Sequence, residues 1–453
     1  LVDVDFDMKI TLQHFGRLRT AELELKPLTL FCGPNNTGKT YAMYGVYGLV
    51  KRIASPRLEF LDPLLAELNA RGALEIDMEP LLERHRFEIL DRAASSFQRA
   101  LPRFFSAEPD LFSETKVGIS VPDSNTALFR GRSKEFHQKS PGGKTVIQVT
   151  KPAGSMTMSV TLSEKPAADL LRTILSDVMV EAAYGDWTGR VLLLPAERAG
   201  LNLFYRELNS RRAALLHHAS QAEINPAELL RDIFVSRYPQ PIADYIDLLN
   251  GMTQLKRDAG TWQDLASRLQ RDVLSIKGYH IDRQGNVSFT PRRSLLKISL
   301  HLGSSVIKSL FGLWFFLEHL AAKDDVLMID EPELNLHPEN QRRLARLLAR
   351  LVNLGAKVVL STHSDYIMRE FNNLLMIGSG KGQRRQRALE LRYDEGEALG
   401  AEQVGAYSFN EKGVEPIPMD PEEGLLVKTF DDVIEGMNKA NQELFEAGFD
   451  HRQ

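Results

Sequence analysis

Leu28-Thr29-Leu30-Phe31-Cys32 runs directly into Gly33-Pro34-Asn35-Asn36-Thr37-Gly38-Lys39-Thr40, and a helical pattern opens at Thr40. The first five residues read as a buried strand. The next eight fit GxxxxGK[ST], the Walker A pattern, between a strand and a helix, which is the context that a phosphate loop requires. Glycines let backbone N–H groups turn toward phosphate oxygens, Lys39 neutralises the β and γ phosphates, and the Thr40 hydroxyl ligates magnesium. The spacing predicts a nucleotide contacted by Asn35, Asn36, Thr37, Gly38, Lys39 and Thr40; the bland alternative is a glycine-rich helix entry with no ligand.

A second strand supplies what such a loop needs. Val326-Leu327-Met328-Ile329-Asp330-Glu331 is apolar and ends in two carboxylates at the edge of a sheet where α/β folds bind ligands. Asp330 is expected to hold magnesium through its water shell and Glu331 to polarise the attacking water. Alone, an apolar run ending in Asp-Glu is a common solvated strand end; the phosphate loop makes the functional reading the better one. His363 leaves a third buried run, Lys357-Val358-Val359-Leu360-Ser361-Thr362, where a histidine can donate to the γ phosphate.

Around these segments, Lys9 to Cys32 reads as short strands with Gly16 in a turn, and residues 55–110 read as helical. Residues 116–163 turn to Thr, Val and Ser with turn signals such as Pro141-Gly142-Gly143, so a small β insertion is expected. Lys165-Pro166 starts a helix running to about Tyr184. Val191 to Leu194 is a buried strand, residues 202–275 are mostly helical without a heptad register, and Ile276 to Thr290 is a hairpin. Strands alternating with helices give an α/β fold with a mostly parallel sheet covered on both faces. The expected units are 1–54 (N-terminal lobe with the phosphate loop), 55–190 (inserted helical and β module), 191–275 (head strand and helical segment) and 276–453 (C-terminal lobe).

Composition narrows the function classes. The 453 residues carry 56 basic and 60 acidic side chains, net −4, so only a local patch could recruit nucleic acid. Cys32 is alone, which removes disulfides and a cysteine-built zinc site and fits a reducing cytoplasm. The most apolar helical stretch, Leu310 to Ala322, is interrupted by Glu318 and His319 and is too short to span a bilayer, so no membrane association is expected. Asp3, Asp5 and Asp7 contradict a basic secretory leader, and a start at Leu suggests trimming.

Taken in order, the phosphate loop, Ile329-Asp330-Glu331-Pro332-Glu333, Leu334-Asn335-Leu336-His337-Pro338 and Ser361-Thr362-His363-Ser364 resemble the ABC-type ATPase head. Within that class the chain is similar to the branch of RecF, the SMC proteins and the overcoming-lysogenization-defect ATPases, and Ile10 to Gly16 fits the branch. The likeness covers about the first 50 residues and everything from about Ser275. It implies an ATP hydrolase using ATP and Mg2+, with Glu331 and His363 catalytic, Thr40 and Asp330 on the metal, and a homodimer or higher homo-oligomer closing around nucleotide. Asn335 to Pro338 would cross the dimer interface. Leu302 to Lys308 would be the serine-glycine motif that caps the partner's nucleotide through Ser304 and Ser305, although Val306 and Ile307 depart from the family pattern; a plain serine N-cap is the alternative.

Pro195-Ala196-Glu197-Arg198 resembles a motif of the lysogenization-defect branch, in which Glu197 and Arg198 would couple the insertion to ATP; an ordinary surface pair reads equally well. Two basic runs offer DNA backbone contact or simply solvated loops: Arg130, Arg132, Lys134, Lys139, Lys144 and Lys151, then Lys381, Arg384, Arg385 and Arg387 in a loop after the last core strand. Relatives with a TOPRIM nuclease carry acidic clusters, and none is found after His363; Asp431-Asp432 reads as helix-start acid. The resemblance therefore implies a stand-alone ATPase of bacterial phage defence that serves a separate effector protein. The rivals are a RecF-like DNA-repair clamp, a self-contained nuclease and a transporter ATPase.

Overall fold

The computed structural model describes residues 8–52, 56–122, 126–139, 145–163, 168–185, 187, 189–207, 238–254, 262–380, 383–420, 423–426 and 428–447. Asp3, Asp5, Asp7, Pro141-Gly142-Gly143, Lys144, Lys165-Pro166 and Lys381 lie outside them.

The chain opens with an antiparallel pair, β1 (Met8–Phe15) and β2 (Leu18–Leu25), turning at Gly16. The buried run Leu28–Cys32 is β3. Segments far apart in sequence join it: β9 (Val191–Leu194), β13 (Val326–Asp330), β14 (Lys357–Thr362), β15 (Val404–Asn410) and β16 (Gly413–Pro416) complete a six-stranded sheet in the order β16-β15-β3-β14-β13-β9. Every neighbouring pair is parallel except β15 with the edge strand β16. The mostly parallel α/β sheet read from the sequence is therefore present.

Parallel strands buried on both faces need apolar residues at successive positions, and alternate residues then enter different cores. Leu28, Leu30, Cys32, Leu327, Ile329, Val358 and Leu360 point into one core, under the helices Ser305–Phe315, Pro338–Asn353 and Asp365–Ser379. Phe31, Leu193, Val326, Met328 and Val359 point into the other. There they meet the phosphate-loop helix Lys39–Val50 and the inserted helices Glu79–Phe105 and Ala168–Tyr184. The insertion thus shares a core with the nucleotide-loop helix.

Three readings need correction. The stretch 55–110 is not wholly helical: β4 (Ala73–Asp77) lies in it, and pairs with β8 (Thr157–Leu162) in a four-stranded sheet with β7 (Thr145–Lys151) and β6 (Lys134–Lys139). Ala-Leu-Glu-Ile-Asp is too short for its pattern to tell strand from helix, and its partner comes some 80 residues later. The β insertion is not one unit, because its first strand, β5 (Lys116–Ser120), pairs with β1, Ile10 opposite Ile119. Finally, β14 is not the last core strand, since β15 follows it, and Arg384, Arg385 and Arg387 of the second basic run lie on the helix Gln383–Glu390 rather than in a loop.

Gly48 marks the tightest contact between the nucleotide helix and the insertion: a Cβ there would lie 2.2 Å from Phe97 Cε2 and 3.2 Å from Phe104 Cε2. Gly48→Ala is expected to lower stability by about 1–3 kcal/mol, overpacking outweighing the gain in helix propensity. The midpoint of urea unfolding measures it, and an unchanged or raised midpoint would show that this interface is looser than the rings imply.

Candidate active site

The phosphate loop folds as its glycines allow. Gly33 has φ 138° and Gly38 φ 98°, while Asn36 takes φ 64°, a left-handed value that asparagine tolerates. A Cβ on Gly33 would stand 2.0 Å from the Phe409 carbonyl oxygen, so β15 seals the base of the loop. The Thr37 hydroxyl donates to the Pro34 carbonyl at 2.9 Å, and Arg17 Nη1 donates to the Asn36 carbonyl at 3.1 Å. Asn35, Asn36 and Thr40 are exposed at the rim.

Lys39 is buried, and its Nζ donates to the carbonyls of Gly33 at 2.9 Å and Pro34 at 2.6 Å. Burial lowers its pKa below the ordinary lysine value, against the pull of Glu331, Asp330 and Glu333. Burial also pushes the Cys32 thiol up to about 12, so the sole cysteine stays neutral beside that ammonium.

The carboxyl edge of β13 and β14 meets the loop. Thr40 Oγ1 donates to Asp330 Oδ2 at 3.0 Å, and the Ser361 hydroxyl donates to Asp330 Oδ1. Asp330 is almost fully buried, and burial raises its pKa although both hydroxyls stabilise the anion. A hydroxyl and a carboxylate in contact are the protein's share of a magnesium site whose other ligands are phosphate oxygens and water, so these donors fit the cation read from the sequence.

Glu331 follows with φ 50°, uncommon for a residue without a short polar side chain, and three contacts hold that backbone in place. Its N–H donates to the Ser361 carbonyl at 3.0 Å. Arg198 Nη2 donates to its carbonyl at 2.8 Å, and Arg198 Nη1 donates to the Asp330 carbonyl at 2.7 Å. Arg198 is 1% exposed, and burial lowers its pKa. The surface-pair reading of Glu197-Arg198 is therefore wrong for Arg198, though Glu197 is exposed. A guanidinium fork held this way sets the positions of two consecutive peptides.

His363 stands on the same edge. Its Nδ1 is 3.7 Å from Glu331 Oε1 and 3.2 Å from Glu333 Oε1, without hydrogen-bond geometry to either. The His363 N–H donates to Glu333 Oε1 at 2.7 Å, and Glu333 is 6% exposed. Glu333 thus orients the segment carrying the histidine. Sequence reasoning quoted Glu333 and Ser361 within motifs but gave neither a role; a carboxylate two residues past Glu331 and a hydroxyl two before His363 were the available signals.

Ser304 and Ser305 are exposed at the start of the helix Ser305–Phe315, and Ser304 Oγ accepts from the Ile307 N–H at 3.4 Å, a serine N-cap. Among the described residues no hydrogen bond joins either serine to the phosphate loop. The structure brings Lys39, Thr40, Asp330, Glu331 and His363 together and leaves the two serines outside that cluster.

Two outcomes follow. Because the folded chain raises the Asp330 pKa, it binds that proton more tightly than the unfolded chain, so this site loses stability as pH rises through the raised value. Asp330→Asn removes the penalty: Tm at pH 7 is expected to rise by a few degrees while the difference closes near pH 4, and a lower Tm at pH 7 would contradict the burial argument. Arg198→Lys cannot reach both carbonyls through one ammonium. It is expected to cost ~2 kcal/mol of stability and to slow turnover about tenfold, equivalent to about 1.4 kcal/mol, with nucleotide affinity little changed; unchanged turnover would reduce Arg198 to a core residue.

Residues 215–368 match the family described as AAA ATPase domain, a span that holds Asp330, Glu331 and His363 and leaves out the phosphate loop. UvrABC system protein A from Mycobacterium bovis and from Mycobacterium tuberculosis are each 24% identical over 151 residues, 31% of this chain and 14% of theirs. The chain thus spans about a seventh of the length of these curated relatives. Among solved structures, an SmcHead bound to the C-winged helix domain of ScpA is 10% identical, with 91% of this chain and 97% of that one covered, at a TM-score of 0.35. The SMC head domain from Thermotoga maritima is 9% identical, with 92% and 99% covered, at 0.31. The part of this chain that matches an ATPase domain is thus residues 215–368.

Proposed function

We propose that this chain is a magnesium-dependent ABC-type ATPase of the cytoplasm whose heads close in pairs around ATP, and that the closed and open states control a separate effector protein in bacterial phage defence. The observation that carries the ATPase reading is the hydrogen bond from Thr40 to Asp330, which ties the phosphate loop to the carboxylate strand and sets Glu331 and His363 beside them. Magnesium held by Thr40 and Asp330 would neutralise the phosphate oxygens. Lys39 would leave its loop carbonyls for the β and γ phosphates, an exchange that its lowered pKa favours by making the buried cation costly where it stands. Glu331 would accept the proton of the water that attacks the γ phosphorus as the bond to the β-phosphate oxygen breaks and ADP leaves. His363 would donate to the departing phosphate. The exposed Ser304 and Ser305 would cap the γ phosphate held by a second copy.

The pairing of heads and the effector rest on the order of motifs and on their family resemblance. The DNA-clamp alternative draws less support, because its first basic run is largely committed. Arg130 pairs with Glu79, Arg132 with Asp324 at 2.7 Å and Lys134 with Glu181, and Lys151 is 3% exposed with its ammonium on backbone carbonyls. Such cations add little to phosphate binding.

Lys39→Ala is expected to abolish ATP binding, whereas Glu331→Gln should bind ATP, hold the paired state and lose turnover; full hydrolysis by Glu331→Gln would remove Glu331 as the base. Tagged Glu331→Gln protein, recovered from its native host and washed with nuclease, is expected to carry a stoichiometric second protein. Recovery with DNA alone before the wash would favour the clamp.

A further inference from the structure

The helix Lys428–Ala447 shows the solvent, from Glu435 to Glu446, a face that amphipathic helices normally bury. In the sequence its apolar residues Phe430, Val433, Met437, Ala440, Leu444 and Ala447 recur at alternating spacings of three and four, the spacing of a single helix face. Every residue from Glu435 to Glu446 is nevertheless exposed, Met437 at 68% and Leu444 at 75%. A helix that leaves Met437, Ala440 and Leu444 uncovered on one face is marginal in water, and the face calls for a cover. The helix is acidic as well, with five carboxylates against two lysines.

A groove of complementary character lies on the same lobe, between the helices Asp365–Ser379 and Gln383–Glu390. Met376, Ile377, Ala388 and Leu391 line a cavity of about 270 Å³, and Arg384 and Arg387 flank it. Leu391 is 57% exposed at its lip, and neighbouring Leu389 is 58% exposed. The root of the acidic helix is fixed close by: the Leu425 N–H donates to Asn372 Oδ1 at 2.7 Å, and Asn372 Nδ2 donates to the Glu423 carbonyl at 3.0 Å. Asn372 adjoins groove residue Asn373. The helix does not lie in its own groove, since every residue from Glu435 to Glu446 is exposed. When an arm and its complementary groove share one root, a two-fold axis lets two copies satisfy both at once.

We propose that this helix is an arm that seats in the groove of a second copy of this chain, its stripe covered by Met376, Ile377, Ala388 and Leu391 and its carboxylates facing Arg384 and Arg387, with the exchange reciprocal. The contact is a helix in an apolar groove, steered by opposite charge. It needs no nucleotide and is independent of the heads closing around ATP.

The test uses the full chain without nucleotide. Sedimentation is expected to give a dimer, and Met437→Glu with Leu444→Glu a monomer of half the mass; both side chains already face water, so the variant keeps its fold. In a second experiment, chains carrying Leu444→Cys are mixed with chains carrying Met376→Cys under mild oxidation, Cys32 being buried with its thiol held neutral. A mixed covalent dimer is expected. It should be lost when Arg384→Glu and Arg387→Glu are added to the groove chain, and recovered when Glu443→Lys and Glu446→Lys are added to the arm chain. Equal masses for parent and Met437→Glu/Leu444→Glu chains would overturn the proposal. So would disulfides joining only Leu444→Cys chains to one another, which would mean that helix pairs with helix, or a link formed only within a chain carrying both cysteines.

Discussion

The Asp330 carboxylate, held between the hydroxyls of Thr40 and Ser361, is the contact on which the arrangement of the site depends. Thr40 is the second residue of the phosphate-loop helix, Asp330 ends β13 and Ser361 lies near the end of β14. One side chain therefore ties the loop to two strands. The carboxylate is buried, so its charge is costly unless both oxygens are hydrogen-bonded, and each hydroxyl satisfies one of them. The sheet has to place β14 between β3 and β13 for this to happen, which is the order observed. The parallel register of Asp330 with Ser361 and of Thr362 with Cys32 then puts loop, carboxylates and histidine along one edge.

Around that contact, buried charge serves to fix backbone rather than to form ion pairs. Arg198 donates to the carbonyls of Pro195, Asp330 and Glu331. Glu333 accepts from the His363 N–H. The residue between these supports, Glu331, holds a left-handed backbone that costs on the order of 1–3 kcal/mol when it is not compensated. That conformation aims the strand's second carboxylate along the edge toward His363, and the guanidinium beneath it offsets the strain.

What could be read from the sequence follows from what local pattern encodes. The phosphate loop, the apolar runs of β3, β13 and β14, and the helix behind Pro338 were legible because each carries its own signal: glycine spacing, unbroken apolar residues, or Leu344, Leu347, Leu348 and Leu351 at helical period. Strand β4 was not, because its identity as strand comes from β8, far along the chain. The pairing of β5 with β1 was hidden for the same reason. Arg198 was half legible: its motif stood out, but a single arginine past a strand reads as a surface residue until the fold shows three carbonyls around it. Ser361 and Glu333 were in view as letters of motifs, and only the register of β13 against β14 gives them partners.

The helix 198–207 carries this argument beyond the site itself. Its first residue, Arg198, grips the backbone of Asp330 and Glu331, and one turn later Asn202 Nδ2 donates to the Lys308 carbonyl at 2.7 Å on the helix that begins with Ser304 and Ser305. Tyr245 locks that second grip, its hydroxyl donating to Asn202 Oδ1 at 2.7 Å, and it packs so closely on Gly312 that a Cβ there would lie 2.2 Å from the Tyr245 oxygen. A single turn of helix therefore joins the carboxylate strand to the serine helix through directional bonds at both ends. Dense interiors move by discrete repacking rather than by gradual deformation. A shift of the Asp330–Glu331 peptides that keeps both grips must accordingly carry Lys308 with it, and with Lys308 the exposed serines at the start of its helix.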